Sequence, residues 1–241
     1  MSVSVSPKQG SPSPPGEVSC ADLDKKNKDE RKKFIQDSEK KRKKGLNKEE
    51  KTALGKAKRG GMTYSSASST CGGASAMTQS SSGLANAQIT NGGTGGTSEQ
   101  KMGLNQKTRD SSAKKHEAKK KKAGILCDEY VHPGGGKGAH AESKIMNNLT
   151  NKAGADGMGG CSVLVSIDWR KNTPNGGVQQ SGMPCNDCYE MLCHAASCGI
   201  QVKICAAGDN PPAEINEENC KKQNGYEKLC WQVDGGPEPG R

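Results

Sequence analysis

Residues 161–169 read CSVLVSIDW, and Cys161, Val163, Val165, Ile167 and Trp169 fall on one side of a strict two-residue alternation. β-Branched residues dominate the run, which predicts a strand with one buried face. Upstream, AHAESKIMNNL (139–149) spaces Ala141, Ile145 and Leu149 four apart, the stripe of a helix that buries one side. Downstream, residues 185–197 carry a second helical pattern with Cys188, Leu192 and Ala195 or Ala196 on one side, and Gly199 is placed to cap it. IQVKICA (200–206) alternates again. Further out, GILCDEYV (124–131) predicts a first strand and Lys228–Val233 a last one. Residues 170–183 read as a loop, and 213–224 as a polar segment compatible with a helix. The order strand–helix–strand–helix–strand predicts an α/β layered domain with right-handed crossovers.

Two motifs stand at the starts of the two central helices, His140-Ala141-Glu142 and Pro184-Cys185-Asn186-Asp187-Cys188. Three-residue spacing on a helix points the sulfurs of Cys185 and Cys188 the same way. With one imidazole they make three ligands suited to Zn²⁺, leaving a fourth position open to water, as catalytic rather than structural zinc has. In mid-helix His140 and Glu142 would lie about 200° apart around the axis. They converge only if the metal sits off the helix N-terminus, which the glycine-rich stretch 134–138 just before His140 allows. Pro184 likewise fits the first turn of its helix, where a missing N–H costs nothing. The alternative is a closed zinc or iron–sulfur knuckle built from Cys185, Cys188, Cys193 and Cys198. His116, His132 and His194 belong to no ligand motif.

Composition divides the chain. Residues 123–241 hold 10 Lys and Arg against 14 Asp and Glu, whereas residues 1–122 hold 26 against 12, so the formal charge of +10 resides in the N-terminal half. Only 30% of residues are hydrophobic and 3% aromatic, too few to offset ordering entropy throughout. Residues 1–122 therefore read as a largely disordered basic leader and linker, helical in part over 20–59 and Gly/Ser-rich over 60–113, with the domain proper at 123–241. KKHEAKKKK (114–122) is either a solvated charge run or a contact for nucleic acid or another anionic partner. No segment has the apolar core of a signal peptide and none the length of a membrane span. Reduced thiols plus a metal site account for the 11 cysteines better than a disulfide framework does, with Cys127, Cys161, Cys205, Cys220 and Cys230 as small buried groups.

The H-x-E and P-C-x-x-C pair is the signature of the zinc-dependent nucleobase deaminases. On those residues the region 123–209 resembles the cytidine-deaminase-like superfamily, and the long low-complexity leader is most similar to the layout of bacterial polymorphic-toxin deaminases. The resemblance implies a three-layer α-β-α fold, with His140, Cys185 and Cys188 binding Zn²⁺ and Glu142 moving the protons. It implies hydrolytic conversion of cytosine to uracil in nucleic acid, DNA before RNA, by a secreted effector acting in the cytoplasm of a target cell. A cognate inhibitor protein is then an expected partner, and a membrane is not. Tyr130, His132, Lys137, Ala141, Trp169 and Pro184 are candidates for the substrate rim. Two departures stand out. The Glu142–Cys185 gap is longer than usual, through insertions at 151–160 and 170–183. No Asn lies between Gly124 and His140 to contact a base. A metabolic nucleoside or nucleotide deaminase and a non-catalytic zinc-stabilised binding module are the competing readings.

Overall fold

The computed structural model describes residues 18–71, 74–82, 140–153, 158–172, 178–206, 210–221 and 224–235. In chain order these form α1 (Cys20–Arg42), α2 (Lys48–Arg59), β1 (Tyr64–Cys71), β2 (Ala74–Ser81), α3 (Ala141–Ala153), β3 (Ser162–Asn172), β4 (Val178–Ser181), α4 (Asn186–Ser197), β5 (Gln201–Ile204), β6 (Ala213–Ile215), α5 (Glu217–Lys221) and α6 (Gly225–Asp234). The architecture is mixed α/β. A sheet of order β2-β1-β3-β5-β6 is packed by helices, and β4 pairs with the far end of β3. β1 runs antiparallel to both β2 and β3, β5 parallel to β3, and β6 antiparallel to β5.

β3 organises the molecule because alternate side chains serve different layers. Val163, Val165 and Ile167 enter the main core with Ile145, Met146 and Leu149 of α3 and Met191, Leu192 and Ala195 of α4. Ser166 and Asp168 face α1 instead. Buried Asn27 donates from Nδ2 to the Ser166 carbonyl (3.1 Å) and accepts at Oδ1 from the Ser66 hydroxyl (2.7 Å). Arg31 pairs with Asp168 at 2.8 Å, donates to the Asp168 carbonyl, and lies over the Tyr64 ring, 4.6 Å from its centroid.

For residues 20–82 this corrects the reading of the N-terminal half as a largely disordered leader; residues 1–17 and 83–122, with the basic block 114–122, lie outside the described residues. Residues 20–82 supply two helices and two strands of the sheet that carries β3. The helices have local causes. Ser19 and Asp22 form a capping box at α1, Asn47 and Glu50 form one at α2, and Lys40, Lys41 and Arg42 complement the dipole in the last turn of α1. The docking of α1 escaped the hydrophobic pattern because Asn27, Arg31 and the serines of β1 carry much of it beside buried Leu23, whereas α2 buries Ala53, Leu54 and Ala57, the last in a small cluster with Met62 and Tyr64. Two other expectations also change. Residues 228–233 lie in a helix, not a strand, and residues 170–183 include the end of β3 and all of β4. The expected strand over 124–131 lies outside the described residues.

The cysteines are corrected as well. Cys20 is bonded to Cys205 and Cys193 to Cys220, and Cys161 and Cys198 are also in disulfides. The Cα separations of 5.5 and 5.7 Å are those a disulfide needs. The first bond joins residues 185 positions apart, a pairing with no local signal in the sequence. Among the described residues no helix is long and apolar enough to cross a membrane.

Candidate metal centre

His140 and Cys185 occupy equivalent places on two helices. The His140 carbonyl accepts from the Lys144 N–H at 3.2 Å, and the Cys185 carbonyl from the Tyr189 N–H at 2.8 Å, so each residue opens its helix without being inside it. Side chains at such positions splay off the helix end. That placement resolves the two-residue spacing of His140 and Glu142: the imidazole points past the start of α3 while Glu142 sits in its first turn.

The three groups meet. Nδ1 of His140 lies 3.3 Å from the sulfurs of both Cys185 and Cys188, and the three ligand atoms are all within 4.8 Å of one another. Zn–S bonds near 2.3 Å and Zn–N bonds near 2.0–2.1 Å set a tetrahedral N···S separation of roughly 3.6 Å, so the spacing fits one zinc ion. The ionisation of the group fits too. The Cys188 side chain first, then His140 and the Cys188 N–H, pull Cys185 down to about 4, and it stands at a helix N-terminus that favours a thiolate. Contact with Cys185 raises His140, against the effect of its burial. Burial drives Cys188 well above the ordinary thiol range, so without metal it keeps its proton. One thiolate, one thiol and an imidazole packed this closely form a donor set that a cation completes.

Glu142 is 4% exposed, and its Oε2 accepts from Cys188 Sγ at 3.6 Å. Burial raises its carboxyl to about 6. A carboxyl poised near neutrality can take and return a proton within one cycle.

The turn before α4 is pinned from two sides. Asp234 of α6 accepts from the Ser181 hydroxyl (2.7 Å) and from the Gly182 N–H (2.9 Å). Trp169 donates from Nε1 to the Met183 carbonyl at 2.8 Å, and the Tyr226 hydroxyl donates to the Pro184 carbonyl at 2.7 Å. A Cβ on Gly182 would come within 2.9 Å of Val233 and 3.2 Å of the Cys205 carbonyl, so only glycine fits the turn there. Burial, with Cys185 next in weight, pushes the Tyr226 phenol far up, which keeps its proton available for donation. Neither Tyr226 nor Asp234 stands near a motif, and their roles are visible only once α6 is folded against the turn.

Of the other candidates, Ala141 is fully buried in the first turn of α3 and Pro184 is buried directly before Cys185. Trp169 is partly buried against the main core. Tyr130, His132 and Lys137 lie outside the described residues. The alternative knuckle loses two of its four members, because Cys193 and Cys198 are disulfide-bonded. Cys230 is free but stands outside the His140–Cys185–Cys188 group. Comparison with family models, curated proteins and solved structures gives no match for this chain.

Proposed function

We propose that the chain is a zinc-dependent hydrolytic deaminase that converts cytosine to uracil in nucleic acid, with a three-layer α-β-α domain of cytidine-deaminase type. The single observation that carries the reading is the placement of Glu142, buried and 3.6 Å from the Cys188 sulfur, beside a three-ligand group that it does not join. A structural zinc site needs a fourth protein ligand and no neighbouring free carboxyl; a hydrolytic site needs the reverse.

His140, Cys185 and Cys188 would hold the metal. Bound zinc supplies acidity, lowering the pKa of a water molecule to about 7. Glu142 takes a proton from that water as oxygen adds to C4 of the pyrimidine, and delivers it to the ring nitrogen. It then carries the second proton to the amino group, which leaves as ammonia while C4 keeps the oxygen. Each transfer returns Glu142 to its starting state. Trp169, Tyr226 and Asp234 act as positioning residues by fixing the turn that presents Cys185.

The order of strands supports the fold assignment. A hairpin, then the H-x-E helix, a central strand, the P-C-x-x-C helix and a parallel strand place both motif helices on one layer, each opening beside the other. The mild acidity of residues 123–241 favours a second reading, a deaminase of free nucleosides, because acidic surface does not attract a phosphate backbone. A substrate panel separates the two. Purified chain is incubated with single-stranded DNA, duplex DNA, RNA and free cytidine, and uracil is followed by mass spectrometry. Uracil in a polynucleotide supports the proposal; turnover of cytidine alone favours the second reading; no turnover on any of them refutes both. As an effector toxin the protein would harm a producing cell and raise C-to-T changes, and a dedicated inhibitor protein would be its partner.

A further inference from the structure

A cavity of about 270 Å³ opens between α1 and the end of β3, lined by Lys28, Arg31, Lys32, Ile35, Asp168 and Arg170 among others. Its charge is one-sided. Asp168 is the only acid among these six and is already matched by Arg31 at 2.8 Å, while Lys28 pairs at the exposed rim with Asp24. Among the described residues no acidic side chain forms an ion pair with Lys32 or Arg170, so these two cations line the cavity with no acidic partner there. Ile35 and the aliphatic stems of the basic residues give it an apolar floor, and its size suits a sugar–phosphate unit rather than a bare ion.

We infer that this cavity is a docking site for the phosphate backbone of a single-stranded nucleic acid. The location is the second ground. Trp169 and Arg170 are neighbours at the end of β3, and alternation sends them to opposite faces. Trp169 anchors Met183, two residues before Cys185, on the metal side, while Arg170 lines the cavity on the α1 side. A strand crossing the end of β3 reaches both. The charge distribution is the third ground. Residues 123–241 are mildly acidic as a whole, so a polyanion is better held where the basic N-terminal part meets them, and α1 is the basic helix of that part that packs against β3.

The inference rests on the nucleic-acid reading above, but its test needs no turnover. Full-length protein is titrated into a fluorescently labelled single-stranded oligonucleotide over a range of salt concentrations. The triple variant Lys28→Gln, Lys32→Gln, Arg170→Gln is compared with the wild type and with a control that removes three cations from another side of α1, Lys26→Gln, Lys33→Gln, Lys40→Gln. Loss of about two to three phosphate contacts lowers the slope of log K against log salt by roughly 1.5–2 and weakens binding at least about tenfold, with zinc content unchanged and the control less affected. Wild-type affinity and slope in the cavity variant, or equal loss in the control, overturns the inference. A wild-type chain that binds no strand at all overturns both the cavity and the nucleic-acid reading. Binding that responds as stated without any base being deaminated supports the cavity and leaves only the catalytic reading refuted.

Discussion

The Cys188 sulfur and the Glu142 carboxylate, in the first turns of two different helices, are 3.6 Å apart. A carboxyl this close to the ligand group, 4% exposed and outside the group itself, would on the proposed function move protons rather than bind the ion. Glu142→Gln keeps the shape of the side chain and removes its basicity. The variant should bind zinc as the wild type does and lose turnover by about 10²- to 10⁴-fold or more. Metal content by mass spectrometry and uracil release from the best substrate of the panel check both halves. Near-normal turnover in this variant would take the proton-transfer role away from Glu142.

Zinc affinity should rise with pH. At pH 7 Cys185, held near 4, is already a thiolate and releases nothing, whereas the raised Cys188 gives up its thiol proton when metal binds. His140, raised by its contact with Cys185, holds its proton to higher pH than a free imidazole and contributes a further fraction. Binding should therefore release between about one and two protons, and affinity should fall as pH drops through the His140 range. Calorimetry in buffers of different ionisation enthalpy measures the number; release of none would contradict the assignment.

Tyr226→Phe leaves the Pro184 carbonyl without its donor inside a half-buried turn. The expected cost is about 1–3 kcal/mol of stability. The same change should weaken zinc binding, because Cys185 follows that carbonyl directly. Asp234→Ala removes two hydrogen bonds from Ser181 and Gly182 and should do more. Chelator competition and thermal unfolding on both variants test the claim that α6 positions the metal turn. Unchanged zinc affinity in both would show α6 to be mere scaffolding.

Motif, helix stripe and central strand were all legible because each is local: the ligand spacing needs five residues and β3 alternates over nine. The N-terminal elements were not. β1 reads YSSASSTC, with Tyr64 and Ala67 its buried hydrophobic residues, and gains its place from hydroxyls and from pairing with β3. α1 joins through Asn27 and Arg31, polar groups that a hydrophobic-pattern reading assigns to solvent. Disulfide partners are equally invisible in the sequence when 185 positions separate them.

That docking gives its own prediction. Arg31→Ala leaves Asp168 buried and charged without a partner, which costs about 3–5 kcal/mol. Deleting residues 1–82 removes β1 and β2 from the edge of β3 and should abolish soluble folding of the remainder. Urea unfolding for the substitution, and solubility with zinc content for the deletion, are the measurements. A truncated chain that stays folded and loaded with zinc would show that residues 20–82 are dispensable.

Cys20→Ser should lower stability by about 2–5 kcal/mol, since it releases the long loop that the Cys20–Cys205 bond closes. Denaturation with and without reductant checks it. Wild type and variant should converge when both are in reductant, which opens the other disulfides too, and equal stability of the two when oxidised would contradict a stabilising role.

X-ray absorption at the zinc edge on the purified chain tests the centre itself. The account predicts one zinc per chain with two sulfur neighbours near 2.3 Å and two lighter atoms near 2.0 Å, unchanged in shell by Cys230→Ser. A shell of three or four sulfurs, or a chain that takes up no zinc, would contradict it.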